Sequence, residues 1–427
     1  MTINRKHVLA LIVVLMVTAF VAALNVPQAR AMGGQTRDLY LVVKPDLGGD
    51  GYDRFSPGNF IVMQGDRANI TVRNPDNEGF AFSIENYANA TIQPGIQSGG
   101  EVEPVDTRIP IFNATTPGIF RMSSVGHAEM EGYFIVLPQD WSKYGPVARN
   151  RAFNILSIPD FGGDGYDKFL PATVVVNQGD KVNITVRNTD DMPHGFAVPA
   201  FGINQAVQPA EDLPDGSVQP VETRIPVFTA DSAGVFEFLC TVPCGPGHIE
   251  MVGTIVVLPK GGEAYNPTPN AAYRYLTVKA DYAGDGYDKF VPGVMVVNQG
   301  DLVYIKVRNT DDMYHGFALA DYNIRNETIA PAIDTANGTI PTDTYITNFI
   351  ADKPGIYTFF CTIYCGPGHY QMIGSLVVLP STGTAGIQPA GASAGGVSMI
   401  LALAVAAGAL IVGFVLGSII RLSSKRR

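Results

Sequence analysis

The sequence predicts an all-β protein: three tandem Greek-key β-sandwiches followed by one C-terminal transmembrane helix. Three observations carry this. One segment recurs three times, opening at Asp46, Asp160 and Asp281, so the copies start 114 and 121 residues apart, a domain-sized period. Within each copy apolar and β-branched residues alternate around Gly-Asp turns, as in Thr173–Asn188, and Pro and Gly recur at short intervals. Near the end, Val397 to Ile420 forms a run of 24 uncharged, mostly apolar residues, enough to cross a bilayer.

In order along the chain, residues 1–31 read as a signal peptide: Arg5 and Lys6, an apolar stretch, then Ala29-Arg30-Ala31 as the cleavage pattern. The three β units are placed at 37–138, 150–259 and 272–380, each closing on a matching strand (YFIVLP, TIVVLP, SLVVLP). Short strands with frequent turns over about a hundred residues are the pattern of a sandwich. Residues 381–396 are a linker of small residues. The span 397–420 precedes a basic tail, 421–427, whose charges predict that it stays cytoplasmic and that the β units lie outside. The GGDGYD loops read as turns, because the full spacing of a calcium loop is absent. Six N-x-S/T triplets (Asn69, Asn89, Asn113, Asn183, Asn326, Asn337) suit an extracellular body.

Composition narrows the function. Four cysteines in 427 residues exclude a disulfide-dense scaffold. A net charge of −10 argues against nucleic acid as a partner. Seven of the 29 basic residues sit in the two ends, which leaves 22 against 39 acidic ones, a body at −17.

All four cysteines fall into two matching motifs. The second copy has Cys240, Cys244, His248 and Met251, and the third has Cys361, Cys365, His369 and Met372. Each set is preceded by a lone histidine, His194 or His315, 46 residues before the first cysteine. Thiolate and thioether donors prefer reduced copper, and imidazole holds copper in either oxidation state. Three other readings stand beside copper pairs: a Cys-Cys disulfide, a Cys2His2 zinc site, and two single-copper sites. The first leaves His and Met unexplained, zinc has no use for the methionine, and single-copper sites need one cysteine each.

On these motifs the copies resemble the cupredoxin fold over about residues 37–380, and the two loops resemble the binuclear CuA site of cytochrome c oxidase subunit II and nitrous oxide reductase. The resemblance implies that Cys240 and Cys244 bridge two coppers, with His194, His248, Met251 and the Val242 carbonyl completing the set. In the third copy it implies Cys361, Cys365, His315, His369, Met372 and the Ile363 carbonyl. Two such centres make four copper ions per chain. The first copy lacks both cysteines. Glu78 stands where His194 stands, while His127 and Met130 are kept, so a structural or partner-contacting role is expected there, with a small mononuclear site as the alternative.

The expected function is electron transfer by a membrane-anchored copper protein outside the cytoplasm, to or within a respiratory terminal oxidase chain. The implied partners are a redox donor and acceptor, at least one of them basic. No general base, nucleophile or open metal position stands out, so a carrier is expected rather than a stand-alone enzyme. Only His127 lies outside both the signal peptide and the two motifs, too few histidines for an additional catalytic copper cluster. A component like subunit II of an oxidase and a copper storage or delivery protein are the alternatives.

Overall fold

The computed structural model describes residues 34–381, apart from 47–51, 162, 164, 215–217, 263–264, 283, 285 and 337. The signal peptide, most of the linker, the apolar run 397–420, the basic tail and the triplet at Asn337 lie outside the described residues.

The alternation read in the sequence does form strands. Lys181–Asn188 buries Val182, Ile184, Val186 and Asn188 while the residues between them face outward. Thr173–Asn177, apolar along most of its length, is buried throughout and runs parallel to Val252–Leu258. Each copy contributes two sheets. In the second copy one sheet is ordered Lys168–Leu170, Asn150–Ile158, Lys181–Asn188, Val221–Arg224, and the other Thr173–Asn177, Val252–Leu258, Gly234–Leu239, His194–Val198, Ile203–Val207. The other two copies repeat this order.

The expected three tandem cupredoxin-like Greek-key sandwiches with a C-terminal transmembrane helix are corrected to a six-bladed ring of sheets. Six sheets of four or five strands, two from each copy, stand as blades around a shared centre. A Greek-key sandwich is built of antiparallel sheets, whereas every blade here includes a parallel pair, such as Thr36–Val42 with Arg67–Arg73 and Val294–Asn298 with Ser375–Leu379. Nor do the strands within a blade follow one another as an up-and-down meander. The copies are not separate beads either. One buried apolar cluster joins Ile61, Ile135 and Leu137 of the first, Val175 and Val256 of the second, and Val294, Ile356 and Val377 of the third. Among the described residues the helices are three-residue 3-10 turns, and none is long and apolar enough to cross a membrane.

The ring closes at three junctions. Between the first and second copies, Asn59 Nδ2 donates to Thr173 O at 2.6 Å and Tyr133 Oη to Ala152 O at 3.0 Å. Between the second and third, Lys306 Nζ lies 2.5 Å from Glu250 Oε1. Between the third and first, Ser56 Oγ donates to Tyr282 Oη at 3.0 Å. At the centre lies a cavity of about 390 Å³, walled by Ser56–Ile61, Leu170–Thr173 and Lys289–Val294.

Candidate metal centre

The lone histidine that precedes each cysteine pair opens a strand, His194–Val198 or His315–Leu319. A buried asparagine shapes the approach to it. Asn188 Nδ2 donates to Met192 O and Gln208 O, both at 3.0 Å, and its Oδ1 accepts from Asp190 N at 3.0 Å. Asn309 repeats this with Met313 O, Ala330 O and Asp311 N. That turn aims an aspartate back at the histidine: His194 Nε2 lies 2.9 Å from Asp190 Oδ2, and His315 Nε2 lies 2.7 Å from Asp311 Oδ2. The other ring nitrogen then faces the sulfurs.

The cysteine loops follow the strands Gly234–Leu239 and Gly355–Phe360 and end in the short turns His248–Glu250 and His369–Gln371. Gly195 must be glycine because a methyl group there would lie 2.1 Å from Thr241 Oγ1. That closeness brings Gly195 N to 3.4 Å from Cys240 Sγ, and Gly316 N to 3.3 Å from Cys361 Sγ, as donors.

The structure gathers the donors of each set. Cys240 Sγ lies 3.9 Å from Cys244 Sγ, 3.8 Å from His194 Nδ1 and 3.2 Å from the Val242 carbonyl. Cys244 Sγ lies 3.4 Å from His248 Nδ1 and 3.9 Å from Met251 Sδ. The third copy matches: Cys361 Sγ to His315 Nδ1 is 3.9 Å and to the Ile363 carbonyl 3.1 Å. Cys365 Sγ lies 3.5 Å from His369 Nδ1 and 3.9 Å from Met372 Sδ. The facing thiols of the second copy sit well beyond the roughly 2.05 Å of a disulfide. His194, His315, Met251 and Met372 are fully buried, and the four cysteines are nearly so. His248 and His369 are half-buried, at the rim.

Electrostatics separate the paired thiols. Burial pushes the Cys240 thiol up, but His194 and the Gly195 N–H outweigh it and hold it below the usual thiol value. Cys361, hydrogen-bonded by Cys365 and facing His315, is lowered to about 4. Burial and the neighbouring Cys240 push Cys244 up, and Cys365 rises chiefly because it donates to Cys361. Burial opposes protonation of His194 and His315, yet the aspartate and cysteine beside each raise both to about 9. The protons these groups hold would leave when a metal takes their place.

The donor set fits copper. In each set two soft sulfurs and one imidazole nitrogen lie within 4.8 Å of one another, a second imidazole and a thioether lie against the second sulfur, and a carboxylate stands behind the first imidazole. Two His/Cys/Met clusters consistent with copper sites are therefore present. The first copy is different: Glu78 is exposed, Met130 is buried in the core, and the His127 ring packs edge-on against Phe80 at 5.1 Å.

Several residues that matter to the site escape a reading of the sequence. Asp190 and Asp311 were not singled out in the sequence, although an Asp four residues before each His was the available signal. Asp167 and Asp288, from the loops read as plain turns, gather within 4.8 Å of Asp190 and His194 and of Asp311 and His315, and their charge helps to push the Cys244 and Cys365 thiols up. Tyr166 and Tyr287 of the same loops lie under Gly247 and Gly368.

No family model matches the sequence. The nitrous-oxide reductase of Stutzerimonas stutzeri is 31% identical over 88 residues, which is 20% of this chain and 12% of that protein. The cytochrome c oxidase subunit 2 of Thermus thermophilus is 30% identical over 89 residues, 21% of this chain and 57% of that protein. The chain thus spans 12% of the length of the nitrous-oxide reductase. Among solved structures, the copper-containing nitrite reductase of Thermus scotoductus SA-01 is 16% identical, covering 81% of this chain and 99% of its own, with a TM-score of 0.21. The multicopper oxidase of Pseudomonas thermotolerans is 14% identical, covering 81% and 100%, with a TM-score of 0.22. At those scores the overlaps carry no argument about fold.

Proposed function

We propose that this chain is an electron-transfer protein with two binuclear CuA-type centres, four copper ions in all. The observation that carries the reading is duplication: the same five side chains converge at nearly the same distances in two copies of one chain. Cys240, Cys244, His194, His248, Met251 and the Val242 carbonyl would hold one copper pair. Cys361, Cys365, His315, His369, Met372 and the Ile363 carbonyl would hold the other. A bound copper pair would supply a site that takes up and releases single electrons.

The chain's own residues supply the rest. Asp190 and Asp311 fix the ring orientation of His194 and His315 from behind. The Gly195 and Gly316 N–H groups stabilise thiolate charge on Cys240 and Cys361. Met251 and Met372 close the buried side against water. A loop pinned between rigid strands changes shape little when charge changes, which favours fast transfer. His248 and His369, at the rim, face a partner.

The acidic body suits a basic donor or acceptor, by long-range steering of a weak encounter. Export to the outer face of a membrane, and an acceptor in a respiratory oxidase chain, complete the proposal. They are supported by the apolar and basic ends of the sequence and by the partial likeness to an oxidase subunit. Changing Cys240 and Cys361 together to serine tests the assignment: copper uptake at both sites is lost while circular dichroism and the melting transition persist. Retained copper after that change, or readily exchanged copper in the parent protein, contradicts it, and the latter favours storage or delivery.

A further inference from the structure

The role of the cysteine-free first copy follows from how the ring is closed. In the second copy, Tyr166 lies against Gly247 of the cysteine loop, so that a methyl group on Gly247 would come within 2.2 Å of its ring. The outer face of Tyr166 is covered by Arg308 of the third copy, whose guanidinium carbon lies 3.8 Å from the ring centroid. Arg308 is anchored in turn by Asp343 at 2.9 Å. The third copy repeats the arrangement around the ring. Tyr287 lies against Gly368, again 2.2 Å from a methyl group placed there, and its cover is Arg73 of the first copy at 3.9 Å, anchored by Asp106 at 2.9 Å. Both glycines have positive φ, 77° and 80°, and both immediately precede the rim histidine.

From this we infer that each cysteine loop is completed by the next copy round the ring, and that the first copy is the outer half of the third copy's centre. Arg73, acting through Tyr287, is a positioning residue for the loop Cys361–Met372. Arg308, through Tyr166, does the same for Cys240–Met251. The two junctions differ in one respect. The second copy's loop has an additional tie, Glu250 to Lys306 at 2.5 Å, whereas the sequence places Gln371 and Thr71 at the matching positions. The third copy's loop therefore depends more heavily on its arginine. The first copy's own tyrosine, Tyr52, meets Arg187 of the second copy at 4.9 Å and closes the ring without a cysteine loop to support. A fold that needs three copies to bury its faces, and two centres that each need a neighbour, explains why a copy without cysteines is retained.

The loop contacts stand without copper; only the effect on the centres rests on the proposed function. The test uses the full chain in reduced, copper-free form, with alkylation of each cysteine followed by peptide mass spectrometry. Arg73→Ala is expected to speed alkylation of Cys365 by about threefold to thirtyfold, the range of one cation–π contact, and to leave Cys244 unchanged. Arg308→Ala is expected to do the reverse. Tyr287→Leu, which removes the ring, behaves as Arg73→Ala should one of them fail to fold. Equal acceleration of both cysteines in Arg73→Ala, or no acceleration of Cys365, overturns the inference. In copper-loaded protein Arg73→Ala is expected to alter the spectrum of the third copy's centre alone. Failure of the parent protein to take up copper removes the reading of the centres and leaves the alkylation result standing.

Discussion

Replacing Lys306 with methionine keeps the apolar stem and deletes a cation on which two copies depend. Lys306 Nζ lies 2.5 Å from Glu250 Oε1 and 2.8 Å from Asp343 Oδ2. The Lys306 and Glu250 side chains are each 9% exposed, whereas Asp343 is 28% exposed and keeps Arg308 at 2.9 Å. Removing one partner of a buried pair costs about 3–5 kcal/mol, because a charge is left buried without compensation. The Asp343 share falls towards the surface range of about 0–1 kcal/mol. The net expectation is a loss of about 2–4 kcal/mol, set mainly by the stranded Glu250 carboxylate. Adding Glu250→Leu removes that carboxylate too, and the double variant is expected to recover most of the loss. Urea unfolding followed by far-ultraviolet circular dichroism measures all three proteins. A single variant as stable as the parent, or a double variant no better than the single, refutes the reasoning.

Other outcomes follow from the same geometry. Asp190→Asn and Asp311→Asn weaken copper affinity about 10–100-fold, each at its own site, as chelator competition would show. Gly195→Ala forces a methyl group to 2.1 Å from Thr241 Oγ1 and costs about 1–3 kcal/mol in thermal unfolding. Tyr133, at the junction of the first two copies, has its pKa raised by burial to about 12. Its contribution is therefore full below the unfolded value near 10 and is lost as pH rises through about 12, about 2–3 kcal/mol in all. Tyr133→Phe should shrink that alkaline loss in unfolding curves.

What the sequence discloses and what it conceals divide along physical lines. Strands such as Lys181–Asn188 were legible because a half-buried strand writes its burial as alternation. The metal donors were legible because soft ligands at one spacing recur twice and have no cheaper explanation. The ring was not. It depends on contacts between copies, made by residues such as Arg73, Tyr287, Glu250 and Lys306 that read as ordinary surface positions. Nothing in a period-2 pattern reports which outer face meets another. That is why separate tandem sandwiches were expected where one buried cluster runs through all three copies. Asp190 and Asp311 were hidden for a related reason: a short acidic run before Met and Pro or Tyr looks like a turn, and it is one, but the turn aims a carboxylate at the ligand histidine.

On the proposed function, each of the two buried His/Cys/Met clusters holds a pair of coppers. Metal analysis of the purified chain, combined with electron paramagnetic resonance of the same sample, decides this. Four coppers per chain are expected, with a spectrum in which each unpaired electron is shared over two nuclei. Two coppers with single-nucleus spectra, or zinc in their place, would contradict it.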